Sequence, residues 1–175
     1  MTLTPARTMV FTSYNEMYDH IIKMITGSVA DELDQTANLA NAAAVIWQYL
    51  PDINWAGFYV FDPPELVLGP FQGKPAINRI KLGHGVCGTA AKMRKTIIVP
   101  DISVFEGHIA CDPDSRSEIV VPMFQNNYLL GVLDIDSPTP NRFTEADRIG
   151  LERVAALLMH ACDWSYTETK PTAFG

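Results

Sequence analysis

The stretch from Gly107 to Asp136 constrains this chain more than any other. It reads GHIACDPDSRSEIVVPMFQNNYLLGVLDID. A cysteine, Cys111, sits in a polar turn. A strand pattern opens with Glu118, breaks around Asn126-Asn127, and resumes to end in the alternating pair Asp134 and Asp136. One hairpin therefore gathers a thiol and three carboxylates.

Side chains alternate faces along a strand, so Glu118, Val120 and Pro122 share one face, and so do Val132, Asp134 and Asp136. The loop length then decides the chemistry. A two-residue loop, Asn126-Asn127, pairs Gln125 with Tyr128 and sends Glu118 and Asp134 to opposite faces. A three-residue loop pairs Phe124 with Tyr128 and sets Glu118 directly across from Asp134. Like charges placed opposite each other destabilise a strand pair, so the second register points to a cation held between the acids. A solvated polar face would account for the same residue types, but the intervening residues are mostly apolar and favour a strand covered on both sides.

Composition narrows the class. With 175 residues, 47% of them hydrophobic, the chain is long enough for one domain with a full core. A net charge of -7 argues against nucleic acid or an anionic membrane as partner. No apolar run is long enough to span a bilayer, and the N-terminus lacks a secretory pattern, so a cytoplasmic location is expected. Three cysteines at wide spacing are no disulfide framework. The four histidines are scattered, no Cys/His spacing resembles a zinc site, and no cofactor or metal is implied.

Taken in order, residues 1–12 are expected to form an arm. Ser13 opens a first helix, with Glu16 as its capping-box partner. A second helix is expected from about Asp31 to Leu50, stopped by Pro51. Trp55 to Phe61 and Glu65 to Phe71 form a hairpin. On its first strand Trp55, Gly57 and Tyr59 face one way, which makes Trp55 and Tyr59 either core or an aromatic wall for a small ligand. A short strand lies at Arg79 to Leu82, a helix at Val86 to Lys95, and another short strand at Thr96 to Val99. Cys87 falls in the first turn of that helix. It is either a thiol activated by the helix dipole or a small residue where the helix packs closely. Ile102 to Ser117 reads as a surface loop, and Asp112 and Asp114 beside Cys111 would raise that thiol's pKa. Thr144 opens the last helix with Asp147 in the capping-box position, and Cys162 falls on its buried stripe. Residues 165–175 form a polar tail. The order of elements indicates an α+β fold, an antiparallel sheet with helices packed against it, with residues 13–164 as a single domain.

Five segments resemble the free methionine-(R)-sulfoxide reductases, which are stand-alone GAF-domain enzymes: Leu68 to Ala76 (LGPFQGKPA), Gly83 to Ala91 (GHGVCGTAA), Gly107 to Asp112 (GHIACD), Ser117 to Pro122 (SEIVVP) and Gly131 to Pro138 (GVLDIDSP). The resemblance implies a GAF-like fold. It implies that Cys111 attacks the sulfoxide sulfur and that Trp55 and Tyr59 line the substrate site. Glu118, Asp134 and Asp136 would hold the free ammonium group and assist proton delivery. A sulfenic acid on Cys111 would condense with a second thiol, and thioredoxin or a similar dithiol would reduce the disulfide. The family's usual resolving cysteine is replaced here by Ile77, which leaves Cys87 as the internal partner. Two functions of different class follow: a reductase of free methionine-(R)-sulfoxide, or a GAF module that has lost turnover and binds a small amino acid or related metabolite. Oligomeric state, a homodimer included, is left open.

Overall fold

A computed structural model describes residues 9–105 and 112–165. Cys111, residues 1–8 of the expected arm and residues 166–175 of the expected tail lie outside the described residues.

Four helices and six strands follow in the order α1 (Tyr14–Val29), α2 (Gln35–Tyr49), β1 (Trp55–Asp62), β2 (Glu65–Gly73), β3 (Arg79–Lys81), α3 (Gly85–Met93), β4 (Ile97–Val99), β5 (Ser117–Gln125), β6 (Tyr128–Ser137) and α4 (Glu145–Ala161). A short 3-10 turn, Ile102–Val104, follows β4. The strands form one sheet in the order β3-β2-β1-β6-β5-β4, and every neighbouring pair is antiparallel.

The helix starts follow from their caps. Ser13 accepts from the Glu16 N–H, but the Glu16 carboxylate turns to the Thr12 N–H and hydroxyl instead of closing a capping box. Helix α2 begins later than the apolar pattern suggests. The Glu32 carboxylate takes the N–H groups of Leu33 and Asp34, which makes a turn, and Asp34 then caps the helix through Ala37 N–H. The expected box at α4 is complete, with Thr144 and Asp147 bonded reciprocally.

Alternation along the strands feeds two apolar layers. Ala56, Phe58, Ile119, Val121, Leu133 and Ile135 point to a core shared with α1, α2 and α4. Trp55, Tyr59, Val120 and Val132 point the other way, to a smaller layer under α3 that includes Cys87. The central strands are thus covered on both faces, as their apolar composition requires.

The central hairpin takes neither register in pure form. Its loop is the two-residue turn, with Gln125 paired to Tyr128, and both asparagines adopt positive φ (47° and 70°). That loop alone would separate Glu118 from Asp134. A bulge intervenes: Phe124 pairs with Leu129, but Met123 pairs with Gly131, so β6 carries an extra residue at Leu130. The extra residue reverses the alternation. Glu118 then lies opposite Asp136 and Val120 opposite Asp134, and all three acids share the α3 face. Gly131 permits the bulge, because a Cβ there would collide with the Tyr59 carbonyl oxygen on the neighbouring strand.

Candidate active site

The pairing of β1 with β6 sets Trp55 opposite Asp136, Gly57 opposite Asp134, and Tyr59 opposite Val132. Cross-strand partners share a face, so the two aromatic residues border the acids. The Trp55 and Tyr59 rings stack with centroids 6.1 Å apart, and Phe71 also stacks on Trp55 at 5.3 Å. Gly57 keeps this wall close, since a Cβ there would meet both Trp55 and Phe71. Each ring's polar handle is satisfied: Trp55 Nε1 donates to the Lys74 carbonyl at 3.1 Å and Tyr59 Oη donates to the Ile77 carbonyl at 3.0 Å. Position 77 is therefore held beside the aromatic wall, where this chain carries isoleucine.

Helix α3 closes the same face. Its first turn presents Cys87 to the acids, and one donor atom each from Cys87, Glu118 and Asp134 lie within 4.8 Å of one another. All three residues are buried, as is Asp136. Burial pushes the carboxyl groups of Glu118, Asp134 and Asp136 well above the usual carboxylate range, and the charge of each on its neighbour pushes the same way. The close approach of Glu118 and Asp134 couples their titration, so the two acids behave as a pair.

Of the two readings of Cys87, the structure favours the packing residue. Placement at a helix N-terminus does not activate Cys87: burial, followed by the charges of Asp134 and Glu118, raises its thiol well above the ordinary value. The described part of the 102–117 loop is a surface segment, with Ser103, Val104, Pro113, Asp114 and Arg116 exposed, but Asp112 and Ser115 turn inward at 2% and 3% exposure. Asp112, which follows Cys111 directly, accepts from Lys74 Nζ at 2.9 Å and from Asn54 Nδ2 at 3.2 Å. Burial pushes the Asp112 carboxyl up, but the Asp114 N–H and the Lys74 and Asn54 bonds outweigh it and hold the group below its ordinary value. Lys74 also pairs with Asp114 at 2.7 Å. The sequence reading missed Lys74 and Asn54, since neither lies near Cys111 along the chain. Cys162 is buried at the end of α4 with its thiol raised by burial, as a structural cysteine should be.

Among the described residues no helix is long and apolar enough to cross a membrane.

Comparison with known proteins identifies the family. The GAF domain model matches residues 24–162. A free methionine-R-sulfoxide reductase from Escherichia coli is 48% identical over 143 residues, covering 82% of this chain and 87% of that protein. One from Saccharomyces cerevisiae is 43% identical over 155 residues, covering 84% and 86%. The X-ray structure of free methionine-R-sulfoxide reductase from Neisseria meningitidis in complex with its substrate superposes with a TM-score of 0.85 at 40% identity, covering 93% of this chain and 98% of that one. The chain therefore belongs to the GAF-domain family, within its branch of free methionine-R-sulfoxide reductases.

Proposed function

We propose that this protein reduces free L-methionine-(R)-sulfoxide to methionine, with Cys111 as nucleophile. The observation that carries the reading is the convergence of Glu118, Asp134 and Asp136 on one face, bordered by Trp55 and Tyr59. The substrate's ammonium group compensates buried acids, and its S-methyl end rests against Trp55. A peptide-bound methionine lacks that ammonium group and would leave the acids uncompensated, which accounts for selection of the free amino acid.

The acids take two roles. One carries the charge that meets the ammonium group. Another, whose pKa burial and its neighbours raise, gives its proton to the sulfoxide oxygen. The Cys111 thiolate attacks sulfur as oxygen is protonated. The sulfur–sulfur bond so formed and the substrate's sulfur–oxygen bond then break as the hydroxyl passes to the Cys111 sulfur, so methionine leaves and Cys111 is left as the sulfenic acid. A second thiol condenses with it to a disulfide and water, and a thioredoxin-like dithiol restores both thiols.

Cys87 is the internal candidate for that second thiol. A second reading, resolution by an outside thiol, is favoured by the burial of Cys87 and its raised pKa, since attack requires thiolate. The loss of cysteine at position 77 also keeps a binding module without turnover in view. A single-turnover assay decides between enzyme and module. Reduced protein mixed with excess sulfoxide and no recycling dithiol is expected to release methionine in an amount matching the protein. Release of none would leave only the binding function.

A further inference from the structure

The same face holds a second kind of ligand set. Cys87 comes from the first turn of α3, Glu118 from the start of β5 and Asp134 from β6. Their sulfur and oxygen donors lie within 4.8 Å of one another, and the three residues are 4%, 5% and 5% exposed. Asp134 Oδ1 is buried without a hydrogen-bond partner. A buried acceptor left in that state is destabilising unless something fills its valence.

We propose that Cys87, Glu118 and Asp134 bind a thiophilic divalent cation such as zinc, which excludes the substrate and reversibly inhibits the protein. Binding itself follows from the donor geometry; the inhibition rests on the assignment of these acids to the substrate ammonium group.

The distances suit such an ion. Zinc bonds of roughly 2.3 Å to sulfur and 2.0–2.2 Å to carboxylate oxygen place tetrahedral ligand atoms about 3.5 Å apart. The present separations, up to 4.8 Å, must contract to that spacing on binding, and water completes the set. One thiolate with two carboxylates selects zinc or cobalt over magnesium or calcium, which demand more oxygen ligands. On binding, the Cys87 thiol and any protonated carboxyl of the set release their protons to solvent. No zinc spacing is visible along the sequence because the donors come from three separate elements.

Cobalt(II) is the direct probe, because a cobalt–thiolate bond gives a near-ultraviolet charge-transfer band. Reduced, chelator-treated full-length protein is titrated with cobalt(II) alone. The proposal expects one equivalent to produce the band. The band should survive in Cys111→Ser and Cys162→Ser and vanish in Cys87→Ser. Asp134→Asn should weaken binding at least about tenfold, and this variant carries the test if Cys87→Ser does not fold. Absence of the band in the unaltered protein, or its persistence in Cys87→Ser, overturns the metal site. Free methionine should then displace the ion. A band that forms but resists methionine sustains the metal site and overturns the inhibition together with the ammonium assignment.

Discussion

Glu118 and Asp136 face each other directly across β5 and β6, and they are only 5% and 6% exposed. Two acids so placed repel each other and resist burial in their charged forms. The fold retains them in a layer otherwise filled by Trp55, Tyr59, Val120 and Val132. This is the arrangement expected of a site completed by a cation from the ligand.

A pH dependence follows. Burial holds Glu118, Asp134 and Asp136 well above the usual carboxylate range in the folded chain, whereas the unfolded chain titrates within that range. Between the two, the folded state binds more protons than the unfolded one. Stability from these groups is therefore full below the unfolded pKa and is lost as pH rises through the folded one. Asp134→Asn imitates the protonated form, so it should change Tm little at about pH 4 and raise it at about pH 8. Thermal melts of the ligand-free protein measure this. An equal shift at both pH values would show that Asp134 carries no burial penalty.

A second prediction concerns the base of the fold. Asp147 is fully buried, accepts from Tyr18 Oη at 2.9 Å and from Arg142 at 3.2 Å, and completes the cap of α4. Asp147→Ala leaves a buried guanidinium without its carboxylate and opens the capping box. A loss of about 3–5 kcal/mol is expected in urea unfolding. A loss below about 1 kcal/mol, the scale of a cap alone, would mean that Arg142 finds another partner.

The cysteines separate the steps of turnover. Cys111→Ser should abolish even the first methionine released. Cys87→Ser should preserve that first turnover and stall recycling by thioredoxin, with a Cys87–Cys111 disulfide detectable by mass spectrometry in the unaltered protein. Normal recycling in the Cys87 variant would assign resolution to an outside thiol.

Much of this was legible in the chain and part was not. The strands announced themselves through β-branched and aromatic residues bounded by Pro, Gly and Asn. The α4 cap was written in Thr144 and Asp147. That Glu118, Asp134 and Asp136 share a face followed from alternation once a loop was chosen, yet the route differed. Of the two loops considered, the two-residue turn is present, but the extra residue at Leu130 restores the shared face, and Glu118 meets Asp136 instead of the Asp134 that a three-residue loop would set across from it. A bulge leaves little mark in sequence beyond the glycine that tolerates it, here Gly131, whose requirement comes from Tyr59 on another strand. The clamp of Lys74 on Asp112 joins residues 38 positions apart and had no local pattern to betray it. The raised pKa of Cys87 was hidden for the same reason: the acids that outweigh the helix dipole arrive from β5 and β6.

The central claim is that three buried acids read the substrate's ammonium group. The most direct measurement compares kcat/KM for free methionine-(R)-sulfoxide and its N-acetylated form, which keeps the sulfoxide and removes the positive charge. The account predicts that acetylation lowers kcat/KM by at least about 100-fold, since it leaves buried polar groups without their partner. Comparable values for the two substrates would contradict it.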